Sequence, residues 1–262
     1  MIGLLALAAA SASSCPQIVG TERLWAKPET QWVMVGEMHG TAEMPALFAN
    51  LVCNAAASGR PVTVALEQDT EMQPVIDAFL ASDGGPTARS AFLAAPMWNG
   101  KMQDGRASQA MLALYGRLRV MKRAGQITGV YAFIPRITAW QGESPYNASM
   151  AEKLKAAPVG PNGLVMAYMG SVHAAKGSMG QGVNAFLPAA ADLPPDRTVS
   201  VYLRDNGGSA WNCMQDGCAP HSEQERNAKR GFTSAEGLPW RYDWIFELGG
   251  KTSASPPAIS GS

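Results

Sequence analysis

The segment at residues 31–43, QWVMVGEMHGTAE, constrains the fold of this 262-residue chain more than any other. An apolar run from Trp32 to Val35 stops at a glycine, and Glu37, His39 and Glu43 follow closely. Short apolar runs bounded by glycine are typical of buried strands. Because ligands bind at the carboxyl ends of strands in open α/β sheets, we expect this strand end to carry chemistry.

Apolar strands alternate with helices along the rest of the chain. Strands are predicted over residues 31–38, 61–66, 127–134, 164–169, 198–203 and 240–248, and helices over 44–58, 70–81, 87–95, 108–124 and 145–156. This order indicates βαβ units, and hence an α/β fold with a mainly parallel sheet flanked by helices. We expect one domain over residues 15–250, with an irregular C-terminal extension at 205–238, and a disordered tail over 251–262.

The composition argues against a nucleic-acid-binding protein. Lysine and arginine number 21, aspartate and glutamate also number 21, and the formal net charge is zero. A protein that binds phosphate backbones needs a basic surplus or a clustered basic stripe. We therefore expect a small-molecule or peptide substrate rather than nucleic acid.

Residues 1–14, MIGLLALAAASASS, resemble the apolar core and small-residue cleavage region of a secretory signal peptide. The apolar run is too short to span a bilayer, and no other stretch is long enough to form a transmembrane segment. The alternative is an ordinary apolar N-terminal helix, since no lysine or arginine precedes the run. The prediction is export to the periplasm or the extracellular space.

The chain has four cysteines, which suit an exported protein. Cys213 and Cys218 are close enough in sequence to form one disulfide, and Cys15 with Cys53 would then be the other, although four cysteines permit three pairings. A zinc site is the weaker alternative, because the C-x4-C spacing lacks a second ligand pair.

Polar residues stand at the ends of four predicted strands. Glu37 and His39 follow the first strand, Glu67 the second, Arg136 the third and His173 the fourth. Since the carboxyl ends of parallel strands share one edge of a sheet, we predict that these side chains lie together. Two of the three histidines occur as Gly-x-x-His, where glycine lets the backbone approach a ligand closely.

These motifs resemble the superfamily that unites erythromycin esterases, ChaN-type haem-binding lipoproteins and Tiki/TraB proteins. The resemblance spans residues 33–176 and rests on GE-x-HG-x-x-E, a strand ending in Leu-Glu, Asn-x-x-Met-Ala and G-x-x-H. The matching residues are Gly36, Glu37, His39, Gly40, Glu43, Glu67, Asn147, Met150, Ala151, Gly170 and His173.

The resemblance implies an α/β fold with a polar cleft, but a fold alone does not choose a function. In this superfamily the esterases use His and Glu to activate water against an ester, and Tiki-type members are metal-dependent proteases. ChaN-type members bind haem, which here would be ligated by a histidine or by an exposed tyrosine such as Tyr168.

The residues themselves are compatible with two ways of hydrolysing an ester or amide bond. In one, a histidine removes a proton from water, a glutamate orients it and Arg136 stabilises the oxyanion. In the other, His39 and His173 bind a divalent metal together with a glutamate. In these mechanisms Glu37, Glu43 and Glu67 would orient the catalytic groups or bind the metal. Haem binding without catalysis is the alternative function.

Each candidate also has an ordinary structural explanation. His39 can cap a turn, and Glu43 can cap a helix. Glu67 can stabilise a helix N-terminus, with Arg136 as its ion-pair partner. The sequence contains no serine nucleophile elbow, P-loop or dinucleotide fingerprint.

Overall fold

The computed structural model describes residues 15–100, 103–136, 139–237 and 241–259. The leader prediction for residues 1–14 lies outside these ranges. The strands are Trp32–Glu37 (β1), Val62–Asp69 (β2), Gly129–Ile134 (β3), Leu164–Gly170 (β4), Thr198–Arg204 (β5), Gly208–Met214 (β6), Gly217–Glu223 (β7), Gly231–Ser234 (β8) and Trp244–Glu247 (β9).

Six α-helices connect or flank these strands within the described ranges. They are Glu43–Ala56 (α1), Gln73–Ala81 (α2), Pro86–Leu93 (α3), Gln109–Arg123 (α4), Glu143–Lys155 (α5) and the single turn Ser171–Ala174 (α6). A short 3-10 turn, Thr70–Met72, precedes α2, and Pro74 lies in the first turn of that helix, where its missing N–H does no harm.

The main sheet has seven strands in the order β3-β2-β4-β1-β5-β9-β8. All neighbours are parallel except the edge strand β8, which runs antiparallel to β9. The prediction of a mainly parallel α/β sheet flanked by helices is confirmed.

Alternate residues of each central strand point to opposite faces, so each face has its own hydrophobic core. Val33 and Val35 of β1 pack with helices α1 to α4 on one face. Trp32 and Met34 pack on the other face with α5 and α6. Because β1 and β4 are covered on both faces, they are continuously apolar, as expected for buried parallel strands.

The expectation of an irregular extension at residues 205–238 is wrong in part. Strands β6 and β7 form an antiparallel hairpin there, and β8 adds to the main sheet. The hairpin is only partly buried, so its sequence lacks the alternating apolar pattern that identifies a strand with one face in the core. Cys213 pairs directly with Cys218 across the hairpin.

The predicted disordered tail is also wrong over the residues that the structure describes there. Ser255 is buried, its N–H donates to the Gly40 carbonyl at 2.7 Å, and its hydroxyl accepts from the Ala110 N–H. Thr252 forms a bridge to Gly208. These are contacts between residues distant in sequence, which local composition does not encode.

Both predicted disulfides, Cys15–Cys53 and Cys213–Cys218, are present. Such bonds persist in oxidising compartments and are consistent with an exported protein. Within the described ranges, no helix is both long enough and apolar enough to cross a bilayer.

Candidate active site

Three neighbouring strands deliver polar side chains to one point at the carboxyl edge of the sheet. Strand β1 ends at Glu37, with His39 in the turn that follows, and β4 ends at Gly170, shortly before His173. Strand β2 lies beside β4 and carries Glu67 in an irregularity of its pairing with β3. The topology therefore brings together four of the six residues predicted from the sequence.

His39 lies between two buried carboxylates. Its Nδ1 is hydrogen-bonded to Oε1 of Glu37. The other oxygen of Glu37 accepts a hydrogen bond from the Tyr168 hydroxyl at 3.1 Å. Its Nε2 lies 3.6 Å from Oε2 of Glu67, beyond hydrogen-bond distance. The Nδ1 side of the ring is thus held in place, while the Nε2 side can still donate to another molecule.

Glu67 links the strand ends to an arginine that the sequence analysis did not select. Its Oε2 accepts the Gly170 N–H at 2.7 Å, and its Oε1 accepts from Arg106 Nη1 at 3.3 Å. Arg106 also forms a fork with Asp104, whose Oδ2 lies 2.7 Å from Nη2. These bonds use three of the five guanidinium N–H groups, and the side chain is partly exposed.

The charges in this cluster stabilise one another. Burial alone would lower the pKa of His39, but Glu37 and Glu67 outweigh it and raise that pKa well above its usual value. Burial alone would raise the pKa of Glu67, but His39 and Arg106 hold that pKa far below its usual range. At neutral pH His39 is therefore an imidazolium cation beside carboxylate anions.

His173 has the opposite electrostatic character. Burial lowers the pKa of His173, so the ring is neutral at pH 7. Its Nδ1 lies 2.7 Å from Oδ1 of Asn147, which also accepts the Ala189 N–H at 3.1 Å. The Asn147 amide nitrogen donates to the Glu143 carbonyl at 2.9 Å. Oδ1 is thus an acceptor, so Nδ1 of His173 carries the proton and Nε2 carries a free lone pair.

Two predicted site residues lie elsewhere. Arg136 pairs with Glu71 at 2.9 Å, and its side chain is 70% exposed. It follows β3, the edge strand, which is separated from β4 by β2, so it does not join the cluster. Glu43 opens α1, where its carboxylate accepts the Ser253 N–H at 2.9 Å. The expected oxyanion role of Arg136 is therefore not supported by its position, and the arginine that contacts the cluster is Arg106, through Glu67.

Sequence reasoning missed Arg106 and Asp104 because they lie in a loop before α4 and not at a strand end. The only local signal was the charged Asp-Gly-Arg turn at residues 104–106, just before the N-cap Ser108. Tyr146 was also missed; its ring packs edge-on against His173, with centroids 5.7 Å apart. Asn147 was noted as part of a motif, but its bond to His173 required the fold.

The turn that carries His39 is held from both sides. Gly40 has φ +84°, and a Cβ there would lie 1.8 Å from the Trp211 carbonyl oxygen of hairpin strand β6. The Trp211 N–H donates to the Gly40 carbonyl at 2.9 Å, and Gly105 packs against Gly40 on its other side. The C-terminal hairpin and the 104–106 turn thus fix His39 by close backbone packing.

No protein-family model and no curated protein matches this chain. Solved structures do match it. An erythromycin esterase mutant, EreC in its open conformation, has a TM-score of 0.66 at 9% identity, over 92% of this chain and 95% of that one. A succinoglycan biosynthesis protein has a TM-score of 0.66 at 11% identity, over 90% and 91%. A Bacillus cereus protein has a TM-score of 0.59 at 10% identity, over 88% and 91%.

The chain has an erythromycin esterase-like fold. At these identities the likeness concerns the fold alone. The α/β fold expected from the sequence motifs therefore agrees with the observed architecture, while the chemistry has to be argued from the site.

The donors of this site do not fit a metal ion as they are arranged. Among the described residues, no three His, Cys, Asp or Glu side chains form a group that could hold one. His39 is protonated and faces a carboxylate on each side, so its ring offers no lone pair. Of the two predicted metal ligands, only His173 retains a free lone pair.

Haem bound through Tyr168 also does not fit. Tyr168, expected to be exposed, is only 3% exposed and is bonded to Glu37. The cavity between Glu37, His39, Glu67 and Arg106 has a volume of about 10 Å³, which is room for about one water molecule. A buried tyrosine that is already bonded cannot present its oxygen to an iron above a porphyrin.

Proposed function

We propose that this protein hydrolyses carboxylic esters, with amides as a harder alternative substrate, by activating water directly with His173. The observation that carries the proposal is that a neutral, oriented histidine lies close enough to two cationic groups, His39 and Arg106, to feel their charge. A base beside a preorganised positive site is what acyl transfer to water requires.

His173 is the general base in this proposal. Its Nε2 makes no hydrogen bond within the described residues, and its Nδ1–H is held by Asn147. As water attacks the carbonyl carbon, one water proton passes to Nε2. When the tetrahedral intermediate collapses, the same proton passes to the departing alkoxide oxygen, and His173 returns to its neutral form.

Arg106 and His39 stabilise the negative charge that develops on the carbonyl oxygen. Two N–H groups of Arg106 remain after its bonds to Asp104 and Glu67. The Nε2–H of His39 is also able to donate, since it lies 3.6 Å from the nearest Glu67 oxygen. Both cations are held in place before substrate arrives, so little reorganisation is needed in the transition state.

Glu37 and Glu67 act on His39 rather than on substrate. Their carboxylates keep the imidazole protonated, and the Tyr168 hydroxyl fixes the orientation of Glu37. Glu43 has no part in this mechanism. The esterase named among the structural neighbours supports the choice of ester hydrolysis, and the two disulfides support export as the setting.

The proposal is tested with the purified protein and a panel of simple acetate esters, with acid release followed in a pH-stat. His173→Ala should lose at least about 100-fold in kcat while keeping the wild-type circular dichroism spectrum and melting temperature. His221→Ala is the matched control, because His221 lies on the β6–β7 hairpin and is bonded to Asn212 and Asp216.

Elemental analysis distinguishes the mechanism from its metal-dependent competitor. Activity should persist after exhaustive chelation and dialysis, because no step requires a metal. Stoichiometric metal in the wild type that disappears in both His39→Ala and His173→Ala would overturn direct water activation. A Soret band after addition of haem, lost in Tyr168→Phe, would instead support haem binding.

A further inference from the structure

A groove beside Tyr146 is lined by none of the proposed catalytic groups. It has a volume of about 140 Å³ and is lined by Pro135, Arg136, Trp140, Gly142, Tyr146 and Ser149, among others. Trp140 is 59% exposed, one of the few large apolar side chains that the fold leaves in solvent. Nothing in the proposed hydrolysis so far requires this groove.

Tyr146 connects the groove to the catalytic groups. Its ring contacts both Trp140, with centroids 5.5 Å apart, and His173, with centroids 5.7 Å apart. It also lies close enough to Arg106 for each to influence the pKa of the other. A molecule whose reacting carbonyl sits beside His173 and Arg106 can therefore extend over Tyr146 into the groove.

The size and lining of the groove indicate what would occupy it. A cavity of about 150 Å³ is known to hold one benzene ring, so the groove suits a single six-membered ring. Trp140 and Tyr146 provide aromatic surface, which favours edge-on or offset contact with another aromatic ring. Arg136 also lines the groove. Its guanidinium is held by Glu71 and can contact the π face of an aromatic ring bound there.

We infer that this groove binds an aromatic ring in the alcohol part of the ester substrate, with Trp140 as the main contact. This inference rests on the proposed function and adds a substrate class to it: esters of arylmethyl alcohols. Arg136, expected from the sequence to stabilise an oxyanion, would instead contact the ring of the substrate. An arginine also distinguishes a π system from a saturated ring, because only the former has the quadrupole that attracts a cation.

The test uses two esters with the same acyl group and rings of the same size, benzyl acetate and cyclohexylmethyl acetate. The wild type should prefer the benzyl ester in kcat/KM by about fivefold, the size expected of one aromatic contact. Trp140→Ala should bring this ratio close to one, mainly through a higher KM for benzyl acetate. Trp140→Phe should restore most of the ratio, and Val183→Ala, in an exposed 3-10 turn, should keep the wild-type ratio.

A binding measurement separates failure of this inference from failure of the proposed function. The ketone 4-phenyl-2-butanone replaces the ester oxygen of benzyl acetate with carbon and cannot be hydrolysed. It should bind the wild type and bind Trp140→Ala about fivefold more weakly, even if neither ester is turned over. Equal binding by the two proteins, no binding to either, or an unchanged substrate ratio in Trp140→Ala would overturn the inference.

Discussion

Asn147 holds His173 in a single tautomer. Its Oδ1 accepts the His173 Nδ1–H at 2.7 Å and the Ala189 N–H at 3.1 Å, and its amide nitrogen donates to the Glu143 carbonyl at 2.9 Å. Because three contacts fix the direction of the amide, the imidazole presents its lone pair at Nε2. The chemistry of the proposed base is thus determined by a neighbour that never reaches the substrate.

Removing this neighbour should lower turnover more than it lowers affinity. We expect Asn147→Ala to reduce kcat on the order of 100-fold with little change in KM, since the wrong tautomer or ring orientation presents no base to water. Asn54→Ala is the matched control, because Asn54 also bonds backbone groups but lies in the last turn of α1, at the end of the helix away from His39. Equal loss of activity in both variants would show that Asn147 is only structural.

The two histidines predict a bell-shaped pH dependence of kcat/KM. Activity should rise as pH increases through the pKa of His173, which burial lowers below its usual value of about 6.5. It should fall as pH increases through the raised pKa of His39, because the imidazolium then loses its proton. His39→Gln should abolish the alkaline limb and retain the acid limb. An alkaline limb unchanged in that variant would contradict the assignment.

Replacing Arg106 should affect the transition state rather than binding. We expect Arg106→Ala to lower kcat on the order of 100-fold, as for loss of an oxyanion donor, and Arg106→Lys to recover part of it through its charge. Arg89→Ala, at an exposed position of α3, serves as the control. A rise in KM alone would place Arg106 in ground-state binding.

Two glutamate–arginine pairs allow the stability contribution of a buried carboxylate to be compared with that of an exposed one. Glu67 is 6% exposed, so Glu67→Gln should lower the free energy of unfolding by about 3 kcal/mol at pH 7, because His39 and Arg106 lose a buried carboxylate partner. Glu71→Gln, in the exposed pair with Arg136, should change it by less than about 0.5 kcal/mol. Urea unfolding measures both.

The pH dependence of this difference has a definite sign. The folded-state pKa of Glu67 is held low, so its contribution is complete above its unfolded pKa of about 4.3. The difference between wild type and Glu67→Gln should therefore shrink as the pH is lowered below about 4. A difference that grows on acidification would mean that Glu67 is protonated in the folded protein.

Gly40 lies in the turn that carries His39, and Gly59, which follows α1, serves as its control. Both have positive φ, +84° and +81°, but a Cβ at Gly40 would meet Trp211, whereas nothing lies within 4 Å of one at Gly59. Gly59→Ala should cost about 1 kcal/mol of stability and keep activity. Gly40→Ala should cost more and also lower kcat, because the Trp211 strand or the His39 turn must move. Equal effects on melting temperature and turnover would contradict this.

The sequence alone determined the layered architecture and part of the site. The continuous apolar runs predicted a parallel sheet. The polar residues at the ends of these runs predicted that Glu37, His39, Glu67 and His173 lie at one edge of it. These predictions succeeded because the apolar pattern of a strand is written in neighbouring residues, and parallel strands end at the same edge of a sheet whatever their order. The close spacing of Cys213 and Cys218 predicted one disulfide, and the Cys15–Cys53 pair followed by elimination.

Only the tertiary structure decided which arginine joins the site and which charge each histidine carries. Arg136 follows an edge strand and faces solvent, while Arg106 reaches Glu67 from a loop whose position depends on packing against Gly40. His39 and His173 share a motif, yet one pKa is raised by two carboxylates and the other is lowered by burial. Electrostatic environment is a sum over neighbours distant in sequence, so only the folded chain defines it.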